Sequence, residues 1–75
     1  MKYIAIKVGD GSKFVISTDK ISVIGVYEET IIFEVPSMGE DQTFSIVFDE
    51  EKPALELYNE ILLFLASDQT IFITY

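Results

Sequence analysis

Clusters of carboxylates are the side chains in this sequence whose type and spacing could carry out chemistry. They are Glu28-Glu29, Glu40-Asp41 and Asp49-Glu50-Glu51. Neighbouring carboxylates can transfer protons, or their oxygen atoms can hold a hard cation such as Ca²⁺ or Mg²⁺. All three clusters fall at predicted turns or at a predicted helix start, where acids are common for structural reasons. We interpret them as structural or solubilising groups, with a carboxylate-metal or small-ligand enzyme as the weaker alternative.

The residue types that are missing narrow the chemistry further. The sequence contains no His and no Cys, which excludes a disulfide framework, a zinc cluster and thiol catalysis. The calcium-loop pattern D-x-[DN]-x-[DN]-G is absent as well. We therefore expect no enzymatic activity, no catalytic residue, no metal site and no cofactor.

The glycine-rich segment at residues 9–12, Gly-Asp-Gly-Ser, is a turn candidate. A phosphate-binding loop would end in Gly-Lys-Ser/Thr and precede a helix, and this segment does neither. Asp-Gly instead favours the positive φ values of a type I′ hairpin turn. We predict a β-hairpin here, with strands at residues 2–8 and 14–17.

Alternation of apolar and polar residues predicts more strands further along the chain. We expect them at residues 21–27, 30–35 and 43–48, with a second hairpin turn at Glu28-Glu29 and a long loop at residues 36–42. A last strand is expected at residues 71–75.

The period of the apolar residues changes after residue 48. Asp49 is expected to cap a helix, and Pro53 is tolerated only within the first helical turn. Apolar residues at helical spacing from Ala54 to Leu65 make this helix amphipathic. The predicted fold class is α+β: a mainly antiparallel β-sheet of about six strands, in the order β-β-β-β-β-α-β, with one amphipathic helix packed on one face. Residues 1–75 are expected to form a single small domain.

The distribution of charge excludes several kinds of partner. The net charge is −8. Residues 1–20 carry a net charge of +2, and residues 21–75 carry −10. Nucleic acids and anionic membranes attract basic surfaces, so we expect no direct binding to nucleic acid and no membrane association. Because the chain starts without an apolar signal segment, we expect it in the cytoplasm.

The acidic residues after position 20 are the predicted binding surface. They are Glu28, Glu29, Glu34, Glu40, Asp41, Asp49, Glu50, Glu51, Glu56 and Glu60. Tyr27 and Tyr75, at the ends of predicted elements, are candidate aromatic anchors for a partner. The leading hypothesis is a non-enzymatic protein-binding module that engages a basic protein surface, such as a nucleic-acid-binding channel. In size and charge the chain resembles phage-encoded inhibitors of bacterial immunity nucleases, such as anti-CRISPR proteins, which would imply an inhibitor that mimics nucleic acid.

A second hypothesis assigns the negative charge to solubility alone. The chain is 49% hydrophobic. The predicted helix has a wide apolar arc with Leu63 on its polar side, Ile32 is on the polar side of its strand, and the last strand is rich in Ile and Phe. These residues and an uncovered edge strand would suit an oligomerising accessory or structural domain, with a homodimer as the simplest form.

Overall fold

The chain folds as α+β, with its elements in the predicted order. The computed structural model describes residues 1–7, 11–37 and 40–75. For residues 37 and 40–42 it describes the backbone alone. The strands are β1 (Tyr3–Lys7), β2 (Lys13–Ser17), β3 (Val23–Tyr27), β4 (Thr30–Ser37), β5 (Glu40–Val47) and β6 (Ile71–Ile73); the helix is α1 (Glu51–Ala66). The six strands are divided between two sheets of three strands each, a division that the expectation of one curved sheet did not include. The predicted fold class is confirmed.

Strand β1 is the centre of the first sheet, whose order is β2-β1-β6. It is antiparallel to β2, with Tyr3 opposite Ser17 and Lys7 opposite Lys13, so the predicted first hairpin is confirmed. Val8 and the Gly9-Asp10 part of the predicted turn lie outside the described residues.

The other neighbour of β1 is the last strand, β6, and this pair is parallel. The predicted last strand at residues 71–75 is shortened to Ile71–Ile73. The backbone N–H of Thr74 still donates to the carbonyl oxygen of Ala5 at 3.0 Å, so the chain stays beside β1 past the end of β6.

The second sheet has the order β3-β4-β5, and both pairs are antiparallel. The predicted loop at residues 36–42 is wrong in extent, because β4 continues to Ser37 and β5 begins at Glu40, with Pro36 opposite Asp41. Pro, Ser, Gly and acids are typical of turns, but here the cross-strand ladder continues through them and overrides that preference. Residues 38–39 lie outside the described part of the chain.

Strand β3 begins later than predicted, at Val23 rather than at residue 21. The preceding residues Thr18–Lys20 form a 3₁₀ turn that leads the chain from the first sheet to the second.

Helix α1 begins one residue later than the predicted cap implies, at Glu51. Its N-cap is Glu50, with φ −139° and ψ 160°, and it makes no side-chain capping hydrogen bond. Asp49 is therefore not the N-cap. The backbone N–H of the preceding residue, Phe48, donates to Glu29 O at 2.8 Å, which holds this part of the chain against the second sheet. Pro53 lies in the first turn, as predicted. No helix in the described part of the chain is long and apolar enough to cross a membrane.

The hydrophobic core is shared by both sheets and α1. Its buried members are Ile4, Ile6, Ile16, Ile31, Phe33, Ala54, Ile61 and Phe64. Two aromatic pairs link the layers: the Phe14 and Phe44 ring centroids are 5.0 Å apart across β2 and β5, and those of Phe64 and Phe72 are 5.4 Å apart across α1 and β6. Burial of these apolar side chains is the main contribution to stability that the fold contains.

Candidate functional site

Five acidic residues come together at one end of the second sheet. They belong to the β3–β4 turn and to the segment entering α1, and the hydrogen bond from Phe48 N–H to Glu29 O holds these two segments together. All five are exposed except Glu29, which is half-buried. This group, called the acidic end below, consists of Glu28, Glu29, Asp49, Glu50 and Glu51. The N-terminal end of the α1 dipole offsets part of the repulsion among these carboxylates.

Glu28 adopts a backbone conformation that few residue types tolerate. Its φ is +52°, in the left-handed region, where a residue with a Cβ atom costs about 1 kcal/mol or more. Glycine and asparagine are the usual residues at such positions in two-residue hairpin turns. A glutamate is therefore present in this turn at a cost in stability.

Exposed apolar side chains lie beside the acidic end, on the outer face of the second sheet. Tyr27 ends β3 and is 69% exposed, and Val47 ends β5 and is 68% exposed. The register places them on either side of Thr30 in one cross-strand row. The next row on this face holds Gly25, Ile32 and Ser45. Because open space lies where Gly25 would carry a side chain, the row is shallow around Ile32 and accessible to a side chain from a partner.

The other predicted acids lie in three further places. Glu56 and Glu60 are exposed one turn apart on α1, and Glu34 is exposed on the outer face of the second sheet, opposite Thr43. Glu40 and Asp41 begin β5, where their side chains are outside the description. Since β5 rises by about 3.4 Å per residue, the start of this strand lies roughly 20 Å from the acidic end. The ten residues do not form one patch around the acidic end.

Two further observations on the described residues concern metal binding and ligand binding. No group of three or more acids among them could hold a metal ion. An open depression of about 260 Å³ lies between the 3₁₀ turn, the start of β3 and the C-terminal half of α1, and it is lined by Thr18, Ile21, Ser22, Val23, Ile24, Leu62 and Leu65. This lining carries no ionisable side chain, so it offers a partner apolar contact and no acid or base.

Comparison with protein families, with characterised proteins and with solved structures finds no match to this chain.

The second candidate anchor, Tyr75, belongs to a different surface. Its ring lies 5.0 Å from the Nζ atom of Lys13, and it follows β6 at the edge of the first sheet. Sequence reasoning used the last strand, rich in Ile and Phe, as an argument for oligomerisation, but it did not predict that this strand lies beside β1 and forms one apolar outer face with β1 and β2. The signal was present: β2 contains Phe-Val-Ile and β6 is Ile-Phe-Ile, and uninterrupted apolar residues in a strand place apolar side chains on both faces.

Proposed function

We propose that this chain is a non-enzymatic protein-binding module that uses the acidic end, with Tyr27 and Val47 beside it, to bind a basic surface on another protein. The observation that carries the proposal is the adjacency of exposed apolar side chains and unburied carboxylates. Protein interfaces commonly combine an aromatic or aliphatic centre with a charged rim. In such a complex Tyr27 would supply the buried contact, and the carboxylates would orient the partner and accelerate the encounter.

Two features favour this function over a purely solubilising role of the charge. Solubility is served by acids at any exposed position and is reduced by exposed apolar residues, yet Tyr27 and Val47 are each more than two-thirds exposed. The left-handed backbone of Glu28 is the second feature. Strain of this kind is concentrated at functional sites, because elsewhere glycine or asparagine would be more stable.

The finer proposal concerns the kind of partner. A channel that binds nucleic acid presents Arg and Lys side chains to phosphates, and the acidic end presents carboxylates that can take the place of those phosphates. Inhibition of a nucleic-acid-binding enzyme, as in phage-encoded inhibitors of the anti-CRISPR kind, would follow from occupation of such a channel.

The test compares two pairs of substitutions that change the net charge equally. Asp49→Asn/Glu50→Gln alters the acidic end, and Asp19→Asn/Asp68→Asn alters two exposed acids elsewhere. The wild-type chain and both variants are immobilised, and proteins captured from a bacterial lysate are quantified by mass spectrometry. We expect the first variant to lose specific basic proteins that the wild type and the second variant retain.

Two further arms identify the mode of binding. Tyr27→Ala should lose the same proteins, and excess duplex DNA should displace them if they are held through a nucleic-acid channel. Identical capture by the two charge variants would refute a specific role for the acidic end. Capture that is unchanged between low and high salt would refute an electrostatic one, since exposed charges are screened by salt.

A further inference from the structure

The outer face of the first sheet is an apolar surface. One cross-strand row contains Val15, Ala5 and Ile73, and the next contains Ser17, Tyr3 and Ile71. Val15 is 64% exposed and both isoleucines are more than half exposed. Ala5, at the centre, is 3% exposed because larger residues stand on both sides of it. Together with the tyrosines, this face exposes apolar surface on the order of 400 Å², the size of the largest patch on a typical monomer.

The charges on this face are positive, in contrast to the rest of the chain. Lys7 and Lys13 are opposite each other at one end of the β1–β2 ladder, and both are exposed. The three described strands of the first sheet contain no acidic residue. The complementary surface for this face is therefore an apolar one with negative charge.

The exposed side of α1 combines leucines with a net negative charge, because Glu56 and Glu60 outnumber the exposed Lys52, one turn before Glu56. Leu63 is 72% exposed, and Leu55 and Leu62 are each about 40% exposed. Glu56 and Glu60 are exposed beside them, separated along the helix axis by about 6 Å. Two carboxylates with neighbouring leucines are thus available to two lysines with neighbouring apolar side chains.

We propose that copies of this chain associate head to tail, with the outer face of the first sheet in one copy bound to the exposed side of α1 in the next. In face-to-face pairing of two first sheets, the described strands would offer Lys7 and Lys13 no acid, whereas the helix supplies two. Because the two contacting surfaces differ, repetition gives a ring or an open filament. The residues of the acidic end are not among those that define the two surfaces, so the association is tested separately from the proposed partner binding.

The size of the apolar face determines how tightly one copy is expected to bind the next. Stable interfaces bury about 800 Å² on each partner, roughly twice the apolar area of this face. The association should accordingly be weak and concentration-dependent. It should be measured at physiological ionic strength, where a screening length of about 8 Å reduces the repulsion between copies with a net charge of −8.

Sedimentation velocity over a concentration series tests the proposal with two charge-reversal variants. Lys7→Glu/Lys13→Glu removes the positive charge of the sheet face, and Glu56→Lys/Glu60→Lys removes the negative charge of the helix. We expect the wild type to self-associate with rising concentration and each variant to do so at least about tenfold more weakly. Asp19→Lys/Asp68→Lys, with the same charge change as the helix variant, should associate no more weakly than the wild type.

Mixing the two variants gives the decisive measurement. Each variant retains the native surface that the other lacks, and the two charge-reversed surfaces are complementary to each other, so an equimolar mixture should associate although neither variant does so alone. Restored pairing also shows that both variants are folded, and circular dichroism of each variant checks this separately.

Three results would overturn the proposal. The first is a wild-type chain that stays monomeric up to about 1 mM, a concentration at which even a weak specific interface would associate. The second is a helix variant that self-associates like the wild type. The third is a pair of folded variants that do not associate when mixed. The second result would indicate symmetrical pairing through the first sheet. Unchanged association of Asp49→Asn/Glu50→Gln is expected, so failure of the proposed function and failure of this association remain distinguishable.

Discussion

Replacing Lys2 with methionine should destabilise the fold through the C-terminal end of α1. The Nζ atom of Lys2 donates hydrogen bonds to the carbonyl oxygens of Phe64 at 3.3 Å, of Ser67, and of Gln69 at 2.6 Å. It also lies 4.9 Å from the centre of the Phe64 ring. The last turn of α1 contains no basic residue of its own, so Lys2 supplies the positive charge that the carbonyl end of the helix dipole attracts.

The magnitude follows from these contacts. Hydrogen bonds to a charged group contribute about 1.5–3 kcal/mol, and a charge at a helix end contributes about 0.3–1 kcal/mol. Lys2 is half-buried, so water can reach some of the three carbonyl oxygens that lose their hydrogen-bond donor in the variant. We therefore expect Lys2→Met to lower the free energy of unfolding by about 1.5 kcal/mol, equivalent to a fall in Tm of about 6–12 °C for a chain of this size. Methionine retains an unbranched apolar stem, so the loss reports mainly on the ammonium group.

The assay is urea denaturation followed by far-UV circular dichroism, with Lys7→Met as the matched control. Lys7 is exposed at the other end of β1, and both variants change the net charge by the same amount. We expect Lys7→Met to remain within about 0.5 kcal/mol of the wild type. Equal losses in the two variants would assign the effect to net charge. A Lys2→Met chain as stable as the wild type would refute the role of Lys2 as the helix cap.

Three other predictions concern single residues and use the same denaturation assay. Glu28→Gly should raise the free energy of unfolding by about 0.5–1 kcal/mol, because glycine adopts the positive φ without strain; a loss of stability would show that the Glu28 side chain makes a stabilising contact. Ser17→Ala should be neutral or stabilising by up to about 1 kcal/mol, because the buried Ser17 hydroxyl has no hydrogen-bond partner among the described residues. Ser22→Ala should instead lower the free energy of unfolding by about 1 kcal/mol, since the Ser22 hydroxyl donates to Glu34 O at 3.1 Å. A larger loss of stability in Ser17→Ala than in Ser22→Ala would contradict this explanation.

Local patterns in the sequence predicted the elements well, because each pattern has a local cause. Period-2 alternation located the strands, and Pro53, which fits only the first helical turn, located the start of α1 to within two residues. The division into two sheets could not be predicted in this way. The two sheets are separate because β2 and β3, which are consecutive in the chain, do not pair with each other. This choice, like the pairing of β6 with β1, is decided by long-range packing.

The candidate site was partly predictable for the same reason. The acidic residues could be read directly, but the grouping of Glu28 and Glu29 with residues 49–51 depends on the register of β4 with β5 and on the bond from Phe48 to Glu29. In the sequence, Lys2 contributes only to the net charge of residues 1–20, so its role at the C-terminal end of α1 could not be predicted. Its partners are more than 60 positions away, and no local pattern relates them.

The parallel pairing of β1 with β6 has a consequence for biosynthesis. Tyr3 lies opposite Ile71, so β1, which is translated before β6, cannot complete its ladder until the residues of β6 have been translated. Pairings of such long sequence separation also slow folding. During synthesis the apolar β1–β2 hairpin therefore has one unpaired strand edge until β6 is translated. A chaperone would be expected to act on that edge of the nascent chain.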